Sequence, residues 1–421
     1  PEEFLWNVDV VHGGRTLLLG LMELHGGEVS FRNDALNLES GERRVIIENG
    51  LGGPIQGRDN WCLIWRDYTW FVAPFDPEKL AITGPETPLF LNRRTTISAT
   101  GIMAYIPRYT STESVVSVDR RGKVDVLAEE IDGQVKRLSW SPDGAQIALV
   151  TQDTDQVRRR LSRLDVARNS LVSLPSGDGW KGSVSWAPTG NSVTVTILNA
   201  DGAYDIFRRG PRPGDALEPI FRDGPPQNSV WDGVWSPDGS VMAFLSVEQG
   251  GPAALWLLPV GEGAEPRPFL ESPASILSPA ISPDGMWIAF SSAEAGVQEV
   301  YAVSLASDSP GQEMVRVSDQ GGTDPVWSPD GTELFFRDLD GHLMTAPVVT
   351  TQRVGVPAFG RPEVLLDLQA LDLVTDDYRC YDISPDGNRF VFGRRQEEAG
   401  AGSQIYVVLD WFSELDRLGS S

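Results

Sequence analysis

A four-residue turn, Ser-Pro-Asp-Gly, recurs along this 421-residue chain and constrains its fold more than any other feature. Five copies are complete, three are weaker versions, and a ninth is expected near Gly57. The turn glycines fall at positions 14, 57, 101, 144, 190, 239, 285, 331 and 387, so successive turns are 43 to 56 residues apart. A repeat of this length with strand-like contents indicates the blades of a β-propeller.

The unit around Gly144 illustrates the expected blade. A short inner strand at 137–140 ends in the turn, and strands at 146–150, 160–166 and 170–174 follow. Proline presets the backbone at the second turn position, aspartate bonds to nearby amides, and glycine takes the conformation that other residues resist. Each unit is a small sheet that can bury its faces only against its neighbours, so we expect one ring.

Four tryptophans stand directly before the turn at the same register: Trp140, Trp186, Trp235 and Trp327. They could form a ladder on which a ligand stacks. One large ring per blade at a fixed position is more typical of a wedge between adjacent twisted sheets. The sequence therefore favours a packing role for these rings.

The chain is predicted to be all-β, a single closed β-propeller of eight or nine four-stranded blades with a short C-terminal helix. Nine blades follow from a direct count, and eight follow if the end units merge. The expected units are 4–50, 51–92, 94–130, 132–179, 180–225, 227–273, 274–322, 323–370 and 371–410. At 411–418 the apolar residues recur at helical spacing, which predicts an amphipathic helix that docks on the ring or on a partner.

Charge and cysteine content limit the class of partner. The chain has 35 Lys and Arg against 59 Asp and Glu, a formal net charge of −24. Such a surface repels phosphate backbones, so a nucleic-acid partner is disfavoured. Cys62 and Cys380 lie in units that are not neighbours, which favours two buried thiols over a disulfide. The sequence also contains no apolar run long enough to span a bilayer.

The chain opens at Pro1 without a methionine. We therefore expect that a signal peptide, a membrane anchor or a further domain was removed upstream.

Motifs for enzymatic chemistry are missing from the sequence. It has no Gly-x-Ser-x-Gly elbow, no His-Glu-x-x-His and no Cys-x-x-Cys, and its only histidines are His12, His25 and His342. The acidic pairs Asp153/Asp155 and Asp376/Asp377 lack the ligand count and spacing of a calcium site. We therefore expect no catalytic residues, no cofactor and no metal site.

The candidate partner-binding residues lie in the connections between blades and in the tail helix. Trp180 and Trp231 stand in loops of glycine, asparagine and proline, where a core tryptophan is less expected. The loop at 368–379 is expected on the same face as these two. The full set is Trp180, Trp231, Asp376, Asp377, Arg379, Trp411 and Phe412.

Several segments resemble the TolB-like propeller repeats of bacteria, a branch related to WD-type propellers, and especially the propellers fused to bacterial serine/threonine kinases. They are 71–76 (FVAPFD), 82–85 (ITGP), 117–122 (SVDRRG), 299–301 (EVY), 330–336 (DGTELFF) and 405–412 (IYVVLDWF). The resemblance covers nearly the whole chain. It implies a propeller that works by binding, outside the cytoplasm, with no catalytic residues to carry over.

We therefore expect a non-enzymatic scaffold or accessory subunit of a larger, membrane-associated extracytoplasmic complex, bound to protein subunits. One alternative is the extracytoplasmic sensor module of a bacterial serine/threonine kinase. Another is a propeller that binds a small ligand, or acts as an enzyme, through its central channel.

Overall fold

A computed structural model describes most of the chain. It covers residues 2–11, 15–25, 28–55, 58–66, 69–76, 78–107, 113–131, 133–152, 159–177, 181–198, 204–221, 228–248, 251–261, 264–349, 358–375, 379–395 and 406–418. These residues form eight antiparallel sheets and two short helices.

The first two sheets use the N-terminal quarter of the chain. The N-terminal sheet contains β1 (Glu2–Val11), β2 (Thr16–His25), β3 (Glu28–Asn37) and β4 (Arg43–Ile47) in that order. The second sheet contains β5 (Leu51–Ile55), β6 (Arg58–Arg66), β7 (Thr69–Asp76), β8 (Ala81–Ile82), β9 (Thr87–Ile97) and β10 (Met103–Pro107). The Gly52 amide donates to the side-chain oxygen of the buried Asn33 at 2.7 Å, which joins the two sheets.

The C-terminal end of the chain returns to the second sheet. β36 (Tyr406–Val408) pairs with β10. The helix α2 (Trp411–Leu418) then packs on the same sheet and occupies the span over which the sequence predicted a helix.

The other six sheets are called blades 1 to 6. Blade 1 is β11 (Glu113–Asp119), β12 (Val124–Ile131), β34 (Tyr381–Ile383) and β35 (Arg389–Arg395). Blade 2 is β13 (Gln134–Trp140), β14 (Gln146–Gln152), β15 (Arg159–Asp165) and β16 (Ser170–Ser173). Blade 3 is β17 (Lys181–Trp186), β18 (Val193–Leu198), β19 (Tyr204–Arg209) and β20 (Leu217–Phe221).

Blades 4 to 6 follow the same order from the inner strand outwards. Blade 4 is β21 (Asn228–Trp235), β22 (Val241–Glu248), β23 (Ala253–Pro259) and β24 (Arg267–Leu270). Blade 5 is β25 (Ile276–Ile281), β26 (Trp287–Ser292), β27 (Glu299–Ser304) and β28 (Val315–Arg316), with the helix α1 (Pro310–Glu313) before its last strand. Blade 6 is β29 (Thr323–Trp327), β30 (Glu333–Arg337), β31 (His342–Val349), β32 (Ala358–Phe359) and β33 (Glu363–Asp367).

The recurring turn has the expected chemistry. In blade 2 the Ser141 hydroxyl donates to Asp143 at 2.6 Å and accepts a bond from the Gln146 amide at 2.8 Å. Gly144 has a φ of 70°, in the left-handed region that costs glycine nothing. The turn thus sets the register between the first two strands of the blade.

The six blades contact one another in a cycle. A Cβ on Gly144 would lie 3.6 Å from Pro385, so the blade 2 turn packs beside the blade 1 turn. On the other side of blade 1, Arg120 contacts Glu333 of blade 6 at 2.7 Å. The hydrophobic cores lie between blades, and one of them combines residues of blades 1 and 6. This is the arrangement of a six-bladed propeller.

A single closed ring of eight or nine blades is therefore not confirmed. The predicted third unit, 94–130, is divided between two sheets: its first part belongs to β9 and β10, and its second part forms β11 and β12. β11 then pairs with β35 of the predicted ninth unit, so that β12, β11, β35 and β34 form one sheet. The sequence suggested that end units could merge, but it did not identify these partners.

The tryptophans before the turn act as wedges. The Nε1–H groups of Trp186 and Trp327 donate to the carbonyls of Ser139 and Ala280 in the preceding blade, each at 3.0 Å. Trp235 donates to the Thr194 hydroxyl of the preceding blade at 2.8 Å. These contacts support the packing interpretation over the ligand ladder.

Both cysteines are buried free thiols, as the sequence predicted. Burial raises the pKa of the Cys62 thiol to about 12.

Candidate functional site

The ring has two different faces. One carries the turns at the ends of the inner strands, which are Pro-Asp-Gly in five blades and Pro-Thr-Gly in blade 3. The other, called here the connection face, carries the loops that lead from one blade to the inner strand of the next, together with the hairpins between the second and third strands. The candidate residue Arg379 lies on the connection face. The placement of Trp231 in a loop was wrong, because this residue lies within the inner strand β21 and pairs with Leu245.

The start of the third strand fixes the following connection in several blades. In blade 1 the buried Glu113 carboxylate accepts a bond from the Val135 amide at 2.6 Å. In blade 2 the Arg159 guanidinium donates to the Lys181 carbonyl at 3.0 Å. In blade 5 the buried Glu299 accepts a bond from the Gly321 amide at 3.1 Å. Each of these bonds ties the connection, or the inner strand that follows it, to the preceding blade.

Trp231 takes part in the same kind of contact in blade 4. Its ring centroid lies 4.7 Å from that of Tyr204, which begins the third strand of blade 3. The indole is half-buried against the core between blades 4 and 5, and its Nε1–H has no hydrogen-bond partner among the described residues. The structure thus gives Trp231 a local packing role, and its partner-facing role stays a prediction.

Arg379 links blade 1 to blade 5. It precedes β34 of blade 1, is half-buried, and donates to the Pro279 carbonyl of blade 5 at 3.3 Å. Nearby, the Asp382 carboxylate accepts bonds from the amides of Trp140 at 2.8 Å and Ile383 at 2.9 Å. Burial raises the pKa of Asp382, and the positive charge of Arg379 opposes that rise.

Trp411 and Phe412 are not brought to the connection face. Trp411 is 5% exposed and packs with Leu415 in the core of the second sheet. Phe412 lies under the Arg58 guanidinium, which is 5.0 Å from the ring centroid. The helix therefore docks on its own chain, and the burial of Trp411 leaves its side chain little surface for a partner.

The remaining sequence candidates, Trp180, Asp376 and Asp377, lie outside the described residues.

The structure adds a cleft that the sequence did not predict. It has a volume of about 470 Å³ and lies on the connection face of blade 4. Its lining is Ser246, Gly251, Pro252, Ala254, Trp256, Glu271, Ser272 and Pro273. In the sequence, Trp256 is one aromatic residue in an apolar strand, and nothing distinguishes it from the packing tryptophans.

The connection face of blades 4 to 6 has a marked charge bias. Its described loops are 251–252, 271–275, 293–298, 318–322, 338–341 and 368–375. These ranges contain six acidic residues, Glu271, Glu294, Asp319, Asp338, Asp340 and Asp372, and no Lys or Arg, while Arg379 stands at the far end of the last connection. Val297 and Leu339 at two hairpin tips are 48% and 57% exposed. This sector therefore presents carboxylates with apolar side chains among them.

Within the described ranges, no three His, Cys, Asp or Glu side chains come together as a metal site would require. Of the described helices, neither has the length and apolar character needed to cross a membrane.

Comparison with known proteins supports the propeller architecture. No protein-family model matches the chain. An uncharacterized protein of Agrobacterium fabrum, Atu1656, is 27% identical over 258 residues, which are 61% of this chain and 83% of that protein. The structure of a candidate TolB from Agrobacterium tumefaciens superposes with a TM-score of 0.50 and 19% identity over 69% of this chain and 100% of that one. At this identity the likeness shows a TolB-like fold alone.

More distant structures carry no argument about function. TolB from Acinetobacter baumannii gives a TM-score of 0.40 with 13% identity, over 69% of this chain and 78% of that one. An oligogalacturonate lyase in complex with manganese gives 0.39 with 13% identity, over 84% and 87% of the two chains.

Proposed function

We propose that this chain is a non-enzymatic, protein-binding propeller that serves as a scaffold or accessory subunit of a larger, membrane-associated complex outside the cytoplasm. The observation that carries the proposal is the connection face of blades 4 to 6, where exposed apolar side chains lie among carboxylates. The extracytoplasmic location follows from the resemblance to TolB-like repeats.

The construction of this face favours a protein partner. Bonds such as that from Gly321 to Glu299 hold a connection in place, so little conformational entropy is lost when a partner binds. Val297 and Leu339 can contribute apolar contact area, while the surrounding acidic groups select partners and accelerate encounter.

The native mass of the protein tests this proposal. The tagged chain is expressed in its source cells, extracted gently from membranes, and separated under native conditions. We expect migration with a large complex. The double variant Val297→Lys/Leu339→Lys should release the chain from the complex, because it places two cations at the apolar hairpin tips of the proposed interface.

Met286→Lys is the matched control, because Met286 is 55% exposed but follows the turn on the opposite face. It should remain in the complex. A wild-type chain that migrates alone near its own mass of 46.0 kDa would contradict the scaffold function. Co-migration with a single serine/threonine kinase would instead support the sensor alternative.

A second candidate function, small-ligand binding or catalysis in the central channel, is favoured by one observation. Asp382 on the inner strand of blade 1 has a pKa raised by burial, and such groups occur in binding and catalytic sites. Its bonds to two backbone amides fit a structural role as well. A small molecule that raises the melting temperature of the wild type but not of Asp382→Asn would support this function.

A further inference from the structure

We propose that the cleft of blade 4 binds a basic side chain, arginine or lysine, from an extended segment of the partner protein. This inference rests on the proposed protein-binding function and specifies the chemistry of one contact within it.

The cleft wall suits an aliphatic stem that ends in a cation. Trp256 contributes a half-buried indole, and Pro252, Pro273 and Ala254 contribute apolar surface around it. A guanidinium or ammonium over the face of an indole is attracted by the ring quadrupole. The volume of about 470 Å³ accommodates a long side chain together with part of its backbone.

A second and independent feature is the Ser246 hydroxyl. Ser246 lines the cleft and is only 7% exposed, so it places a hydroxyl in a largely buried wall. A hydroxyl can both donate and accept a hydrogen bond. The backbone or guanidinium of a bound segment supplies a matching group.

Carboxylates at the rim of the cleft favour a bound side chain with a positive charge. Glu271 lines the cleft and is exposed. Glu294 reaches the rim from the next blade, where its carboxylate accepts a bond from the Ser272 hydroxyl at 3.4 Å. In the described loops of blades 4 and 5, at 251–252, 271–275, 293–298 and 318–322, there is no Lys or Arg to neutralise the two carboxylates. Together with the net charge of −24, this complementarity favours a basic segment over an acidic or neutral one.

The test measures binding of three labelled hexapeptides to the full chain by fluorescence anisotropy. The peptides alternate proline with arginine, with citrulline, or with glutamate. Citrulline keeps the shape of arginine but removes its charge. We expect saturable binding of the arginine peptide only, and weaker binding as salt is added.

Variants assign the contact to the cleft. Trp256→Ala should raise Kd for the arginine peptide on the order of tenfold, because the cation–π contact and the apolar wall are lost. Glu271→Gln/Glu294→Gln should raise it about fivefold and reduce the salt dependence. The control Glu39→Gln/Glu218→Gln removes the same charge from exposed carboxylates elsewhere and should change Kd less than about twofold. Circular dichroism and melting temperature confirm that each variant is folded.

Several results would overturn the proposal. The first is equal binding of the arginine and citrulline peptides. The second is wild-type affinity for the arginine peptide in the folded Glu271→Gln/Glu294→Gln variant. The third is the absence of saturable binding to the wild type below about 1 mM, which is the affinity expected of a minimal contact. If the wild type migrates with the native complex but binds none of the three peptides, the protein-binding function stands and the assignment of this cleft alone fails.

Discussion

At the scale of single residues, the turn aspartates connect sequence, geometry and charge. Asp238 and Asp330 each accept a bond from the serine at the start of their turn, at 2.6 Å, and from the amide two residues on, at 3.0 Å. These bonds favour the ionised carboxylate and lower the pKa of both residues to about 2. The groups are at the surface, so each one contributes modestly, but the motif recurs around the ring.

This shift predicts a specific loss of stability in acid. The pKa is lower in the folded state than the ordinary value of 3.8, so the stabilisation is fully present above that value and is lost as pH falls towards 2. Asp238→Asn/Asp330→Asn should lower the melting temperature at neutral pH. It should also reduce the fall in melting temperature between about pH 5 and about pH 2.5. Calorimetry across this range measures both effects.

The control for the acid series is Glu218→Gln, an exposed carboxylate on an outer strand. It should keep the acid dependence of the wild type. An unchanged dependence in the double turn variant would mean that other carboxylates dominate acid unfolding.

At the scale of single elements, each inner strand ends in a residue that reaches the preceding blade. The indole of Trp235 lies beside the core between blades 3 and 4 and donates to Thr194 at 2.8 Å. A tryptophan buries roughly 150–250 Å², an upper-bound gain of about 4–6 kcal/mol. The inner strand of blade 4 is therefore stabilised by contacts with blade 3 as well as by pairing within its own sheet.

Trp235→Ala should lower the free energy of unfolding by about 3–5 kcal/mol, because it opens a cavity between two blades. Trp235→Phe keeps most of the apolar volume and loses the bond to Thr194, so it should cost less, with the bond itself worth about 1 kcal/mol. Denaturant unfolding followed by circular dichroism measures both values. A melting curve unchanged in the alanine variant would contradict the wedge.

The elements were predictable from sequence wherever their signals are local. The Ser-Pro-Asp-Gly turns identify the inner hairpins, because serine, aspartate and glycine set the turn among themselves. The helix α2 was predictable in the same way, because the spacing of its apolar residues is also a local signal. The pairing of β11 with β35 has no local signal, because its two strands lie more than 250 residues apart and meet only when the ring closes. The cleft of blade 4 also has no local signal in the sequence, because Glu294 reaches its rim from another blade.

At the scale of the whole molecule, the C-terminal part of the chain completes two different parts of the structure. β34 and β35 complete blade 1 and so close the ring. β36 and α2 continue to the second sheet, where Asp416 contacts Arg58 at 3.0 Å and the Trp411 amide donates to the Gly101 carbonyl at 2.9 Å. The ring and the second sheet therefore depend on different parts of the C-terminal segment.

This division predicts the effect of two truncations. A chain that ends at Arg395 lacks β36 and α2 but keeps blade 1, so amides in blades 2 to 6 should retain their protection from hydrogen exchange. Protection should fall in β6 and β10, whose residues Trp61 and Met103 pack against Trp411. A chain that ends at Thr375 also lacks β34 and β35, and protection should then fall throughout the ring, because both neighbours of blade 1 lose their contact surface. Equal loss of protection in the two truncations would show that the second sheet and the ring unfold as one cooperative unit.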